Sequence, residues 1–349
     1  MRHFLTRDGI AFHNVADLQA VDGKPGLRLQ RVPDAVRDAL NPTARDGALC
    51  PSSCELRFVP DGTGDISVTL YSDVHHEYVQ VLRGGFVQEE IALAPGEMRT
   101  LSIAPSPLLR EIPPPHVPGK GFASGVIRLK ISGTGRVHYV GVTGADIRPP
   151  SADETPAHTW LAYGSSITHG FSAPRLSQPY IHCAARSLGV DVLNLGFGGA
   201  CHVEPELADH FEARGDWDLA TLEMGINLIE HPMPDEEFAR RVAYMVDTLT
   251  ECRPGRPVVL LTVFPVHHDL RPIGDPRRER AERFRGIVRD AYAVRRDRRP
   301  DLHLIEGAEV LDDWTGLSAD LCHPSEYGHA RMGLRLAERL RPLLPGAAR

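Results

Sequence analysis

Two adjacent serines, Ser165 and Ser166, lie in the segment WLAYGSSITHGFS, directly after a run of apolar residues. Glycine and serine are common turn residues, so this segment taken alone fits an ordinary turn. A serine hydroxyl can also act as a nucleophile when a neighbouring base accepts its proton. The segment therefore predicts either a simple turn or a serine nucleophile, and the rest of the chain decides between them.

A second polar segment, DLCH, contains a carboxylate and an imidazole three residues apart, at Asp320 and His323. His323 is a candidate base for a serine proton, and Asp320 can fix its tautomer and stabilise the imidazolium ion. Because both lie on one short loop, their mutual orientation can be set locally. Ser325, which follows a proline, is predicted to cap the next helix and so to hold His323 at a rigid helix entrance.

The two segments belong to a part of the chain in which apolar strands alternate with amphipathic helices. This alternation is typical of a doubly wound parallel sheet, in which ligands bind beyond the carboxyl ends of the strands. The predicted strands are 159–163, 191–196, 218–224, 257–264 and 301–307, and the predicted helices are 178–188, 204–213, 235–252, 277–297 and 326–341.

Further glycine-rich or polar turns follow the second and third predicted strands. The second strand leads into NLGFGG, which ends at Gly199, and the third leads into GIN, which ends at Asn227. Gly196 and Gly198 are interpreted as serving only the backbone conformation. One such turn is weak support for a site, but four at the same edge of one sheet favour a catalytic site over chance.

The four segments together resemble the SGNH (GDSL-like) hydrolase superfamily, and the resemblance covers about residues 157–345. The family blocks G-D-S-x-x-x-G, a central glycine, G-x-N and D-x-x-H occur here in order. One departure is that Ser165 stands where the family has aspartate. The nucleophile is then Ser166, because it precedes Gly170 by the family interval.

The resemblance also implies a fold and a set of site residues. The fold is a flavodoxin-like, doubly wound α/β domain. The implied catalytic residues are Ser166, Asp320 and His323, and the implied oxyanion hole consists of Ser166, Gly199 and Asn227. No cofactor and no metal is expected.

The first part of the chain has a different pattern, with short strands of period two separated by Gly and Pro turns. It predicts an antiparallel, jelly-roll-like β-sandwich over residues 1–150, which we expect to be an accessory domain that shapes the substrate site. The proline-rich segment 148–156 is predicted to be a linker, and residues 157–349 the catalytic domain. The predicted sandwich strands include 65–72, 77–84, 86–93, 125–132 and 136–144.

Composition and charge narrow the function classes. A net charge of −7 argues against a general nucleic-acid surface, and no apolar stretch has the length of a membrane span or a secretion signal. The six cysteines are interpreted as reduced thiols, and Cys50 and Cys54 lack a second pair at metal-binding spacing. These features predict a cytoplasmic enzyme without nucleic-acid or membrane partners.

Two groups of basic residues allow further interpretations. Four histidines on loops at the functional edge are predicted to be pocket or surface residues rather than the base: His169, His202, His267 and His268. The segment Arg271–Arg299, with eleven Arg and five acidic residues, is interpreted as a solvated helix face with i,i+4 ion pairs. The alternative is a docking surface for an anionic donor, such as a phosphopantetheine arm or an acidic carrier protein.

The sequence predicts acyl-ester chemistry through an acyl-enzyme at Ser166. A chain with a β-sandwich ahead of such a domain resembles two groups of proteins. One group is the bacterial carbohydrate esterases, and the other is the actinomycete acyltransferases that modify polyketides. We therefore expect an ester hydrolase or deacetylase acting on a small or glycosylated substrate. The alternative is an acyltransferase that moves an acyl group from an ester or a thioester, carried by coenzyme A or an acyl carrier, to a hydroxyl of a natural product. A third reading, an inactive carbohydrate-binding protein, is disfavoured by the intact set of polar residues.

Overall fold

The computed structural model describes residues 5–344 except 63, 105–106, 113, 119, 174 and 177. The predicted domains extend to residues 1–4 and 345–349, which lie outside the described residues. Contacts divide the chain into two compact units. The first unit contains the chain up to Arg37, Asp46–Ala157 and Gly189–Leu193, and the second contains Asp38–Arg45, His158–Leu188 and the chain from Asn194 onward.

The first unit is built from two antiparallel sheets, as the period-two pattern predicted. Its strands are β1 Leu5–Arg7, β2 Ile10–His13, β3 Asp17–Ala20, β4 Leu27–Gln30, β5 Cys54–Pro60, β6 Ile66–Ser72, β7 Glu77–Arg83, β8 Phe86–Leu93, β9 Met98–Ile103, β10 Ile127–Ser132, β11 Val137–Gly144 and β12 Ile147–Arg148. One sheet has the order β1-β2-β5-β10-β7-β8, with β12 paired to β5, and the other has the order β3-β4-β11-β6-β9. Three short helices belong to the same stretch of chain: α1 Asp34–Ala39, α2 Pro42–Gly47 and α3 Pro107–Glu111.

Alternation along the strands explains how the two sheets share one core. In β6 every second residue is buried, which places Ile66, Val68 and Leu70 inside. The rings of Phe12 and Tyr139 meet edge to face there, with 5.2 Å between their centroids. Because each fully buried aliphatic side chain contributes about 1.5–3 kcal/mol, this apolar interior stabilises the antiparallel sandwich.

The second unit is a five-stranded sheet with helices. The strands of this sheet are β13 Thr159–Gly164, β14 Asp191–Gly196, β15 Leu219–Glu223, β16 Val258–Leu261 and β17 Leu302–Ile305, and the first three residues of β14 cluster with the first unit. The helices of the second unit are α4 Ser166–His169, α5 Tyr180–Leu188, α6 Pro205–Arg214, α7 Asp235–Cys252, α8 Pro276–Ala293, α9 Gly307–Val310 and α10 Glu326–Leu340. The order β14-β13-β15-β16-β17 is the flavodoxin-like order 2-1-3-4-5, and β13, β15, β16 and β17 pair in parallel.

Most element boundaries follow local sequence signals. Helix α7 has the predicted bounds, and Asp275 caps α8, whose first residue is Pro276. Strand β16 is shorter than the predicted 257–264, because the apolar run continues beyond the residues that pair with β17. The described part of the chain has no helix long and apolar enough to span a bilayer.

The arginines of segment 271–299 are largely neutralised by ion pairs, but mostly not at the predicted i,i+4 spacing. Arg271 and Asp275 form a pair of that spacing. The other pairs mostly join α8 and the turn after it to distant parts of the second unit: Arg277–Glu230, Arg280–Asp235, Arg283–Asp235, Arg285–Asp269, Arg289–Glu306, Arg295–Asp247 and Arg299–Glu251. This arrangement favours the ion-paired face over an anion-docking surface.

Candidate active site

The turn after β13 places Ser166 at the first position of helix α4. Every residue of β13 is buried, so the strand ends at a fixed place in the sheet. The Ser165 hydroxyl accepts a hydrogen bond from the Ile167 N–H at 3.2 Å and caps the helix. The Ser166 hydroxyl takes no part in this helix cap, and its Oγ lies 2.7 Å from His323 Nε2.

The loop before α10 holds the imidazole and a carboxylate together. Asp320 Oδ2 lies 2.6 Å from His323 Nδ1, and its Oδ1 accepts hydrogen bonds from the Ser318 hydroxyl and from the N–H groups of Cys322 and His323, at 2.8–2.9 Å. Leu321 adopts a φ of 53°, a conformation that is uncommon for a non-glycine residue. The loop thus wraps closely around the Asp320 carboxylate.

The electrostatics of this loop define the roles that its groups can have. Burial alone would raise the pKa of Asp320, but the hydrogen bonds from His323, Cys322 and Ser318 outweigh it and hold that pKa well below its ordinary value. An ionised Asp320 favours a proton on His323 Nδ1, which leaves Nε2 as the acceptor for the Ser166 hydroxyl. The result is a hydrogen-bonded chain from carboxylate to imidazole to serine.

Aromatic packing also holds the His323 imidazole. The Phe171 ring stacks on the His323 ring with 5.6 Å between centroids. The backbone oxygen of Phe171 accepts a hydrogen bond from His329 Nε2 at 2.8 Å, because His329 Nδ1 accepts from the Tyr180 N–H. Burial lowers the pKa of His329 to about 4, so it is neutral near pH 7.

Ser325 caps α10 as predicted, and its Oγ accepts a hydrogen bond from the Gly328 N–H.

Gly199 and Asn227, the predicted oxyanion residues, offer donors that the described residues leave unoccupied. The Asn227 Oδ1 accepts a hydrogen bond from the Cys201 N–H at 3.0 Å. This hydrogen bond fixes the orientation of the amide, so that its Nδ2 hydrogens point away from Cys201. Neither the Gly199 N–H nor the Ser166 N–H donates to another described residue. A side chain at position 199 would find open space, but the φ of 67° favours glycine there.

A buried glutamate, Glu223 at the end of β15, is a site residue that the sequence reasoning missed. Its Oε2 accepts three hydrogen bonds, from the Ser165 N–H at 2.6 Å, the Ser165 hydroxyl at 2.7 Å and the Thr168 hydroxyl at 3.1 Å. A Cβ on Gly164 would lie 2.4 Å from the same Oε2, so glycine is required where the carboxylate packs against the turn. Glu223 therefore braces the turn in which the family aspartate is replaced by Ser165. A charged residue inside an otherwise apolar strand was the available signal.

Burial dominates the titration of this glutamate. It raises the pKa of Glu223, and the hydrogen bonds from Ser165 and Thr168 only partly oppose that shift. Its second oxygen, Oε1, is buried and has no hydrogen-bond partner among the described residues. The raised pKa of Glu223 is consistent with donors on only one of its two oxygens, because an ionised carboxylate needs hydrogen-bond donors on both.

The four other histidines at this edge have different surroundings. His169 is buried, with Nδ1 3.2 Å from the Gly196 oxygen, and His267 and His268 pack ring against ring. His202 packs on His231 with 4.5 Å between centroids. It is His323 whose ring nitrogen lies within hydrogen-bond distance of the Ser166 hydroxyl.

Within the residues that the structure describes, the candidate metal-ligating side chains do not form a cluster. No group of three or more His, Cys, Asp or Glu side chains there is arranged to hold a metal ion. All six cysteines, including Cys50 and Cys54, are free thiols. The arrangement instead suits attack of a serine hydroxyl on a carbonyl, with a base, an oriented carboxylate and unoccupied donors for a developing oxyanion.

Comparison with known proteins agrees with this geometry. Residues 162–331 match the GDSL-like lipase/acylhydrolase family. Among solved structures, the salicylyl-acyltransferase SsfX3 from a tetracycline biosynthetic pathway is 18% identical, with a TM-score of 0.75, covering 98% of this chain and 96% of that one. A family two carbohydrate esterase from Cellvibrio japonicus is 16% identical, with a TM-score of 0.63, covering 97% and 96%.

A third similar structure is an acetyl xylan esterase from the rumen bacterium Butyrivibrio proteoclasticus, 11% identical, with a TM-score of 0.58 and coverage of 97% and 96%. At these identities the likeness establishes the fold alone. No curated protein matches the sequence. The likeness to these solved structures extends along nearly the whole chain, whereas the family match covers residues 162–331.

Proposed function

Because residues 162–331 match the GDSL-like lipase/acylhydrolase family, we propose that the chain catalyses acyl-ester chemistry through an acyl-enzyme at Ser166. The observation that carries this proposal is the hydrogen-bonded chain from Asp320 through His323 to Ser166, with distances of 2.6 and 2.7 Å. A serine hydroxyl is a weak nucleophile until a base accepts its proton, and this chain supplies the base.

The proposed reaction has two steps. His323 Nε2 takes the hydroxyl proton as Ser166 Oγ attacks the carbonyl carbon, and the tetrahedral oxyanion accepts hydrogen bonds from the N–H groups of Ser166 and Gly199 and from Asn227 Nδ2. The protonated His323 then gives its proton to the leaving oxygen or sulfur as the acyl-enzyme forms. In the second step His323 removes a proton from the incoming water or hydroxyl, which attacks the acyl carbonyl, and His323 then returns the proton to Ser166 Oγ as the bond between Oγ and the acyl carbon breaks.

We propose hydrolysis of a carboxylic ester as the main activity, with a small or glycosylated alcohol as the leaving group. Two of the structures that the chain resembles are described as a carbohydrate esterase and an acetyl xylan esterase. The second candidate is transfer of the acyl group to a hydroxyl of a natural product. It is favoured by the likeness to SsfX3, which extends over 98% of this chain. In that case coenzyme A or an acyl carrier is the proposed donor.

The remaining assignments are also proposals. Residues 1–150 act as an accessory domain that shapes the substrate site, joined through the linker 148–156 to the catalytic domain 157–349. We place the enzyme in the cytoplasm, since six cysteines, Cys50 and Cys54 among them, remain free thiols and a reducing compartment preserves such thiols.

A product screen tests the proposed function. Acyl esters and acyl thioesters are incubated with the enzyme, with and without hydroxyl acceptors, and the products are identified by mass spectrometry. Free acid in every reaction supports hydrolysis, and an acylated acceptor formed at the expense of free acid supports transfer. Ser166→Ala serves as the control. Turnover by this variant at the wild-type rate would contradict the proposal.

A further inference from the structure

A cavity of about 790 Å³ adjoins the proposed oxyanion hole. Gly199 and Asn227 line one side of it. The facing wall includes residues 39–43, which precede the catalytic domain by more than a hundred positions but cluster with the second unit. We call this space the side cavity.

The wall formed by residues 39–43 is fixed in place by Asn41. Its Nδ2 donates to the backbone oxygen of Ala200 at 3.1 Å and to the Glu204 carboxylate, while its Oδ1 accepts from the Ala44 N–H at 3.0 Å. Ala200 directly follows the oxyanion residue Gly199. The segment is therefore anchored beside the hole and belongs to the site.

The lining of the side cavity mixes apolar and polar groups. Leu40 and Met233 supply apolar surface. His202 supplies a neutral imidazole, since burial, with the nearby His231 and Arg241, lowers its pKa to about 4. Glu204 is 5% exposed, and its Oε2 has no hydrogen-bond partner among the described residues.

The position of the side cavity relative to the base indicates which part of a substrate it faces. The leaving group must lie near His323, because His323 gives it a proton. The side cavity is lined by the oxyanion residues Gly199 and Asn227 but not by His323. A space that borders the oxyanion hole but not the base suits the acyl side of the carbonyl carbon.

We propose that the side cavity binds the acyl group of the substrate, and that this group is several times larger than acetyl and carries a hydrogen-bonding substituent. This inference rests on the proposed serine chemistry and names its acyl substrate class. Acetyl would leave most of a 790 Å³ space filled with water, whereas pockets of about 300–1,000 Å³ typically enclose whole small-molecule ligands. A polar substituent is expected because the buried Glu204 Oε2 otherwise lacks a partner among the described residues, which costs free energy, and because the neutral His202 imidazole offers a second hydrogen-bonding group in the same lining.

The first experiment compares 4-nitrophenyl esters of acetic, benzoic and the three hydroxybenzoic acids. Each kcat/KM is divided by the rate of alkaline hydrolysis of the same ester, which corrects for intrinsic reactivity. We expect benzoate to exceed acetate, and at least one hydroxybenzoate to exceed benzoate by about tenfold, since a site built for a hydroxyl discriminates strongly. A preference for acetate over all four aromatic esters would overturn the inference.

The second experiment uses a variant that narrows the side cavity. Ala39→Trp places a large ring on its wall, and Ala213→Trp, at an exposed position of α6 that does not line the cavity, is the matched control. We expect Ala39→Trp to lower the benzoate-to-acetate ratio of kcat/KM by about tenfold or more, with no change in that ratio for Ala213→Trp. An unchanged ratio in a folded Ala39→Trp protein would contradict the assignment.

A third variant, His202→Phe, tests the polar part of the proposal. Phenylalanine keeps a ring of similar size but removes both ring nitrogens, so the advantage of the preferred hydroxybenzoate over benzoate should shrink several-fold. If the advantage of the preferred hydroxybenzoate over benzoate stayed the same in both His202→Phe and Glu204→Gln, the inference that the acyl group carries a hydrogen-bonding substituent would be overturned.

The same assays separate this inference from the proposed function. If no ester is cleaved and a fluorophosphonate does not label Ser166, the serine chemistry fails and the inference fails with it. If Ser166 is labelled and acetate is the preferred ester, only the assignment of the side cavity fails.

Discussion

Glu77 in the sandwich and Glu223 in the second unit are both buried with one oxygen that has no hydrogen-bond partner among the described residues, as is Glu204, and the surroundings of Glu77 and Glu223 differ. In the sandwich, Glu77 is fully buried, and its Oε1 accepts one hydrogen bond, from the Gly135 N–H at 2.6 Å. In the second unit, Glu223 is 1% exposed, and its Oε2 accepts three hydrogen bonds from Ser165 and Thr168. Burial raises the pKa of both residues, and that of Glu77 to about 8.

The difference lies in what each carboxyl group holds. Glu77 fills a space left by loop glycines, since a Cβ on Gly133 or Gly135 would collide with its oxygens. Glu223 holds the residue before the proposed nucleophile. We therefore expect Glu77 to affect stability, and Glu223 to affect the reaction rate by positioning Ser166.

Among the carboxyl groups, the largest effect is expected at Asp320, which sharpens the comparison because it contacts His323, the proposed base. Asp320→Asn keeps the shape but removes the charge that orients the His323 imidazole. We expect kcat to fall roughly 10²–10⁴-fold, since the same change in a Ser-His-Asp site costs about 10⁴. His323→Ala should cost more.

The control for this prediction is the same change at other histidines of the functional edge. His323→Ala is compared with alanine at His169, His267 and His268, each checked for folding by circular dichroism. A folded variant at one of these three positions that loses more activity than His323→Ala would contradict the assignment of the base.

The second prediction concerns Glu223 and separates positioning from contact with the substrate. Glu223→Ala leaves three buried donors of Ser165 and Thr168 without an acceptor, each worth about 1–3 kcal/mol. We expect kcat to fall roughly 10–10²-fold with little change in KM, because Glu223 does not line the side cavity. Glu223→Gln retains an oxygen acceptor and should recover most of the lost kcat.

Comparing the change in KM with the change in kcat decides whether Glu223 positions Ser166 or contacts the substrate. A rise in KM at constant kcat would show that Glu223 acts on substrate binding rather than on Ser166. Equal loss in the glutamine and alanine variants would show that the carboxylate charge, and not the acceptor oxygen, is what the turn needs.

The smallest effect on activity is expected at Glu77, where the change should appear in stability. A pKa of about 8 in the folded state exceeds the ordinary value of 4.5, so the folded state favours the protonated form. The stability that this group contributes is full below about pH 4.5 and is lost as the pH rises towards 8. Glu77→Gln should therefore unfold at a higher temperature than the wild type at pH 8 and at nearly the same temperature at pH 5.

We expect a gain of at least ~1 kcal/mol at pH 8, since one unit of pKa corresponds to about 1.4 kcal/mol. Thermal unfolding at the two pH values measures it, and kcat/KM serves as the control. An equal gain at both pH values, or a loss of activity, would show that Glu77 does not behave as the comparison requires.

Strong local signals made much of the second unit predictable. Helix α7 was predicted with its observed bounds because its apolar positions recur with helical spacing. Strand β14, 191–196, was also predicted as observed. The strands β1 to β4 were not predicted, because each has only three or four residues and depends on partners elsewhere in the chain.

The residues of the site also divide into those with a local sequence signal and those that depend on distant contacts. Ser166, Asp320 and His323 were predicted from spacing within short segments, and the structure brings them together. Glu223 and residues 39–43 were not predicted to take part, since they reach the site through contacts between distant segments. Such contacts leave no local pattern, and only the folded chain shows them.

The central claim is that Ser166, and not its neighbour Ser165, is the nucleophile. The most direct measurement is to label the enzyme with a fluorophosphonate and to locate the adduct by peptide mass spectrometry. The structure predicts an adduct on Ser166, whose Oγ lies 2.7 Å from His323 Nε2, and predicts that it also forms in Ser165→Ala, where only a helix cap and a hydrogen bond to Glu223 are lost. An adduct on Ser165, or labelling that persists in Ser166→Ala, would contradict the account.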